Sequence, residues 1–168
     1  MSLEEKLLAL VASVTWDGGD QLIRALRPML AEVAPFDCGE VALARPIGHE
    51  RWALTDDEAP LASEDLLLRL EEEPLRIDDL PQALPFPRTH ARMAGAGLRS
   101  LLALPLSPGD GPIGAVVLAH RDGWAFAAAS LHTLAPLARM TGLCIERAVV
   151  LTALRKEVET LRLRTRKG

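Results

Sequence analysis

The chain of 168 residues has no tyrosine, and its aromatic residues together amount to only 4%. A core made from such a sequence has few large anchors, so Leu, Ala and Val must fill it through many small contacts. Cysteine is nearly as scarce. Cys38 and Cys144 stand far apart, in no CxxC pair and at no Cys/His spacing that suits zinc. No metal site is expected, and the two read as reduced, buried thiols of a cytoplasmic protein. Long apolar runs are also missing. The longest, around residues 101–106 and 115–119, fall far short of the ~20 residues that cross a bilayer. Residues 1–16 carry Glu4 and Glu5 and lack the apolar stretch of a secretory signal. Excess positive charge is absent too: the net charge is -4, which argues against a nucleic-acid surface. There is no P-loop, no GxSxG and no HExxH, and no catalytic residue is assigned.

What remains is an ordinary globular composition, with 49% hydrophobic and 25% charged residues. Leu3, Leu7, Leu10 and Val14 form one helical stripe over residues 3–14, broken at Asp17-Gly-Gly. A second helix is predicted over about residues 20–33, with Asp20 as N-cap and Pro28 bending it. Strands are predicted over 38–45 and 50–55, joined by a turn at 46–49. The acidic, Leu-rich run 63–73 reads as a helix opened by Ser63, and 75–77 as a short strand. Residues 78–87 hold three prolines and read as a loop, followed by a short helix over 88–94. Strong strands are predicted over 99–106 and 113–120, around the turn cluster 107–111, with a bend or bulge at Gly114. From Ala127 the pattern is helical nearly to the C-terminus, with a kink or restart at Pro136. The fold class is α+β: a central antiparallel sheet with the terminal helices on one face. Residues 1–16 are assigned to an N-terminal helix, 17–150 to the globular domain and 151–168 to a projecting helix.

Four stretches, in order along the chain, resemble one known family. Leu75–Asp79 (LRIDD) is similar to a strand that ends in Asp before a variable loop. Gly97–Leu106 (GLRSLLALPL) has that family's Gly, Arg-Ser pair, apolar residues and Pro-Leu. Pro112–Leu118 (PIGAVVL) looks like the partner strand, and Phe126 with Leu131 and Leu134 looks like the entry to the closing helix. Over about residues 20–150 the chain thus resembles a GAF domain. The resemblance implies a ligand cavity on the sheet face away from the terminal helices, under residues 63–97. It also implies sensing of a small molecule or light, and transmission to an attached output domain. Some binding chemistries of the family are not matched. Phe126 is followed by three alanines and Ser130 with no Asp-Glu, which departs from the cyclic-nucleotide binders. Neither cysteine lies where bilin-binding relatives attach their chromophore, and residues 47–118 contain no cysteine nucleophile of the sulfoxide-reductase kind.

Candidate ligand residues follow from placement. Arg88, His90, Arg92 and Met93 lie in the segment that would roof the cavity, where paired cations and a titratable His suit an anionic ligand. The competing reading is a solvated helix face. Arg99 and Ser100 alternate on the signature strand, so one of them points to the cavity side. Ser100 is retained as a candidate, while Arg99 is read as tying down a structural carboxylate, Asp78 or Asp79. Trp52 would stack on a ligand or else belong to the core. His49, His120 and His132 show no metal-like spacing.

Leu151, Leu154, Val158 and Leu161 fall at 3-4-3 spacing, the a and d positions of heptads. Counting backwards places Cys144 and Leu137 at a and Met140 at d, while Glu157 and Arg162 take g and e. The expectation is a parallel homodimer, joined by the stripe of residues 3–14; the alternative is that the tail folds back on its own sheet. The pattern runs to the last residues, so an output domain, a sensor kinase, a transcription regulator or a cyclase, is expected to follow in the full-length chain. Function reads as a non-catalytic sensory module without a resident cofactor, acting as a homodimer. A ligand-free domain serving only dimerisation is the alternative.

Overall fold

Helix α1 (Asp20–Val33) buries Leu22, Leu26, Met29 and Leu30 along one side and leaves Pro28 on the exposed side. The helix runs through that proline, which removes a single backbone donor, the one that would have met the Arg24 carbonyl. The computed structural model describes residue 5 and residues 20–44, 49–56, 61–129 and 131–167. The predicted stripe of Leu3, Leu7, Leu10 and Val14 and the turn at 46–48 lie outside the described residues.

After α1 come β1 (Cys38–Ala44), β2 (His49–Ala53), α2 (Glu64–Leu67), β3 (Leu75–Ile77), a 3-10 turn (Leu80–Ala83), α3 (Pro87–Gly95), β4 (Ser100–Leu106), β5 (Gly114–His120) and α4 (Leu131–Arg166). The strands make one antiparallel sheet in the order β2-β1-β5-β4-β3. Pleating divides it into two faces. Val41, Leu43, Leu102, Leu104, Leu106, Val116 and Leu118 pack under α1 and the first half of α4, together with Phe126. Cys38, Leu101, Ala103, Ala115, Val117 and Ala119 pack under a roof made by residues 61–98. The roof face is rich in alanine, so the roof lies close to the strands. β3 is short because Pro74 cannot extend the ladder, and Pro105 removes a donor from the neighbouring edge.

Several sequence expectations are corrected. The helix predicted over 63–73 is a single turn, α2, because only Leu66 of its leucines is fully buried while Leu68 is 77% exposed. β2 stops at Ala53 because Leu54 turns into the core and donates its N–H to Gly39 O at 2.8 Å. The proline-rich loop contains the 3-10 turn, capped by Asp79 through Leu80 N at 3.0 Å. Gly114 makes no bulge, since its register with Leu43 and Leu106 is unbroken. A Cβ there would lie 2.0 Å from Ala42 O, so the glycine permits a close strand approach. α4 begins at Leu131, after turns at 124–129, and continues through Pro136, which stands in its exposed second turn. Leu137 and Cys144, which the heptad count puts on a seam, are buried against the sheet of their own chain. The tail does not fold back. Of residues 150–167, every side chain described is exposed.

Candidate functional site

The roof begins with a buried acid. Glu40 stands on β1, where alternation with Val41 and Leu43 turns it towards the roof face, and it is only 1% exposed. A buried carboxylate must be satisfied. Arg51, on the same face of β2, donates to it through Nε at 2.7 Å and also through Nη2. The backbone N–H groups of Leu61 (3.3 Å) and Ala62 (3.0 Å) complete the set. Glu40 therefore fastens the first roof residues to the sheet.

A second acid fastens the middle of the roof. α3 starts at Pro87, and its N-cap, Phe86, has no side-chain acceptor to offer. Asp65 of α2 serves instead, accepting from Arg88 N (2.7 Å), Thr89 N (3.4 Å) and the Thr89 hydroxyl (2.7 Å). Thr89 Oγ1 in turn accepts from Ser63 N at 3.1 Å. Burial works to raise the Asp65 pKa, but the bonds from Thr89, Arg88 and Leu66 outweigh it, and the carboxyl is held below the usual range.

The predicted ligand residues divide between the two faces. Met93 is wholly buried in the roof core. His90 is half-buried on α3, its backbone N–H donated to Phe86 O at 2.8 Å. Arg88 and Arg92 are exposed on α3, and Arg92 donates to Ala62 O at 2.7 Å. Trp52 and Ser100 lie on the opposite face. Trp52 is paired with Val41, packs against the helix-side core and lines a groove of about 720 Å³ with Ile23, Arg24 and Asp56. Ser100 is buried and donates to Asp122 O at 2.7 Å. The structure thus brings Arg88, His90, Arg92 and Met93 together on one helix and separates Trp52 and Ser100 from them. Arg99 holds Asp79 through two bonds of 3.0 Å, one of the two carboxylates expected for it.

The space expected for a cavity under residues 63–97 is occupied by Leu61, Leu66, Met93 and Leu98. At its rim, a cleft of about 290 Å³ is lined by Arg51, Ala62, Ser63, Glu64, Leu67, Arg88 and Arg92. Sequence reasoning found the two arginines of α3 but missed Glu40, Arg51 and Ser63. An acid inside an otherwise apolar strand, with an arginine in the next strand on the same face, was the available signal. On the helix side, burial pushes the Cys144 thiol pKa up, with the Arg147 charge offsetting part of the rise. That makes a poor nucleophile. Among the described residues no cluster of three His, Cys, Asp or Glu could hold a metal, and no helix is long and apolar enough to cross a membrane.

The sequence matches no protein-family model and no curated protein. Solved structures do share this architecture. A domain assigned to a two-component sensor histidine kinase of Sinorhizobium meliloti 1021 is similar at 18% identity and TM-score 0.69, over 83% of this chain and 99% of that one. A GAF domain assigned to a sensor histidine kinase of Pseudomonas syringae pv. tomato is similar at 18% identity and TM-score 0.65, over 92% and 90%. The GAF3 domain of Slr1393 from Synechocystis sp. PCC6803, in its photoproduct state, is similar at 17% identity and TM-score 0.61, over 80% and 97%. The strand order, the sheet covered on both faces and these superpositions together give the chain the fold of a GAF domain.

Proposed function

We propose that the chain is a non-catalytic sensory module that acts as a parallel homodimer. A small molecule bound at the roof biases the packing of the domain, and α4 carries that bias to an output element, a sensor kinase or transcription regulator. One observation carries the reading. α4 is a single helix of 36 residues whose first half packs on the sheet and whose second half leaves it. On that second half Leu151, Leu154, Val158 and Leu161 form a stripe, with Leu154 52% and Leu161 54% exposed. Apolar residues repeating along a projecting helix are covered most simply by the same stripe of a second copy. A ligand would act by favouring one dimer packing over another, which requires different affinity for the two.

The alternative is a GAF-fold dimerisation module without a ligand, and the roof favours it in one respect. The face where the resemblance expects a cavity is filled by Leu61, Leu66, Met93 and Leu98.

Light scattering after size exclusion tests the dimer. The chain at ~50 µM should elute as a dimer, and Leu154→Asp with Leu161→Asp should elute as a monomer with unchanged circular dichroism, since a buried charge on the seam is costly. A wild-type monomer, or a variant dimer, would sink the reading.

A further inference from the structure

The cleft at the roof rim gathers three guanidinium groups from two elements: Arg51 from β2, and Arg88 and Arg92 from α3. Their commitments differ. Arg51 is neutralised by Glu40 behind the cleft. Arg92 donates to Ala62 O, an acceptor without charge. Arg88 gives its backbone N–H to Asp65 and leaves its side chain exposed. Glu64 is the acid on the lining, and the Asp65 carboxylate stands behind α3, accepting from Arg88 N and Thr89 N. Ser63, 5% exposed, forms part of the lining. The volume lies just below the usual range for small-molecule sites, room for a small group rather than a large ligand.

We propose that this cleft binds an oxyanion, the carboxylate or phosphate group of a small metabolite, held by Arg88 and Arg92 against Ser63. Guanidinium forks match two oxygens of such a group, and their charge draws it from solution. The site lies outside the filled roof core, so it needs no cavity to open. It is also wired to the roof. Arg92 holds Ala62 O, while Ala62 N is held by Glu40, which Arg51 holds in turn. An anion drawing on Arg92 therefore loads the stretch of chain that Glu40 fastens to the sheet. The use of the site as a sensor rests on the function proposed above; the site itself does not.

The test uses sodium phosphate and sodium succinate as probes on the whole chain, each against sodium chloride at equal ionic strength, with thermal melting as the readout. At ten times its dissociation constant a bound probe should raise the melting temperature by about 3 °C or more. Arg88→Ala with Arg92→Ala should weaken binding of the probe at least ~10-fold. A response to phosphate alone assigns a phosphoryl group, to succinate alone a carboxylate, and to both a general oxyanion site. Stabilisation by neither probe overturns the proposal, as does an undiminished response in the double arginine variant. Should that variant fail to fold, Arg88→Gln at its exposed position takes its place, and binding no weaker than wild type overturns the proposal. Sedimentation of the same samples separates the two readings: a dimer that binds neither probe overturns the site alone, and a monomer that binds one overturns the dimer alone.

Discussion

Gly114 and Ala42 show how one atom can decide a contact between strands. A Cβ on Gly114 would sit 2.0 Å from Ala42 O, a backbone atom that the β1–β5 ladder holds in place. Gly114→Ala should therefore cost at least about 3 kcal/mol, read by urea denaturation. Gly97→Ala is the control. Its φ is +70° but nothing lies within 4 Å of its Cβ, so it should cost only about 1 kcal/mol of backbone strain. Other single residues were unevenly legible. The Arg99 pairing could be read in advance because Asp78 and Asp79 precede the signature strand and only these two competed. Glu40 could not, because its partners at 61 and 62 come from a roof whose path no local pattern dictates. Gly114 was seen as special, but glycine in a strand serves bulges and close approaches alike, and only the register separates them.

The same contrast holds for elements. The strands were read nearly to their ends, because alternation of apolar side chains is imposed by the pleat itself. α2 was overestimated because a Leu-rich acidic run looks amphipathic whether or not a surface awaits it, and here only its first turn finds one. The capping of α3 was illegible, since its acceptor lies 23 positions upstream of Arg88. That cap predicts a pH effect. The Asp65 pKa lies below its ordinary value of 3.8 in the fold. Its contribution is fully present above the unfolded value and is lost as pH falls through 3.8 towards the lower folded one. Asp65→Asn should destabilise the protein by about 1 kcal/mol at pH 7, and the difference should shrink as pH falls below 3.8, as measured by denaturant melts across the range.

For the whole molecule, the division is between a domain with two cores and a shaft that leaves it. The helix-side core was legible as a face. The roof core was not, because the resemblance implies a cavity where Leu61, Leu66, Met93 and Leu98 now stand. The boundary near residue 150 has its own test. Side chains described beyond it are exposed, so deleting residues 151–168 should shift the melting temperature by no more than ~2 °C and abolish dimerisation in light scattering. A larger loss of stability would mean that the tail supports the domain. The continuity of α4 has one more consequence, which concerns phase. Val158 stands three heptads beyond Leu137 on the same helix. A straight α-helix drifts about 20° per heptad against a strict seven-residue repeat, about 60° over that length. In the proposed dimer, the azimuth at which a partner helix would approach is thus fixed relative to the sheet, much as meshed teeth fix the angle between two shafts. Rotating the grip of the sheet on Leu134, Leu137 and Cys144 by a few degrees would turn the distant exposed stripe by the same angle, with no change in the stripe itself.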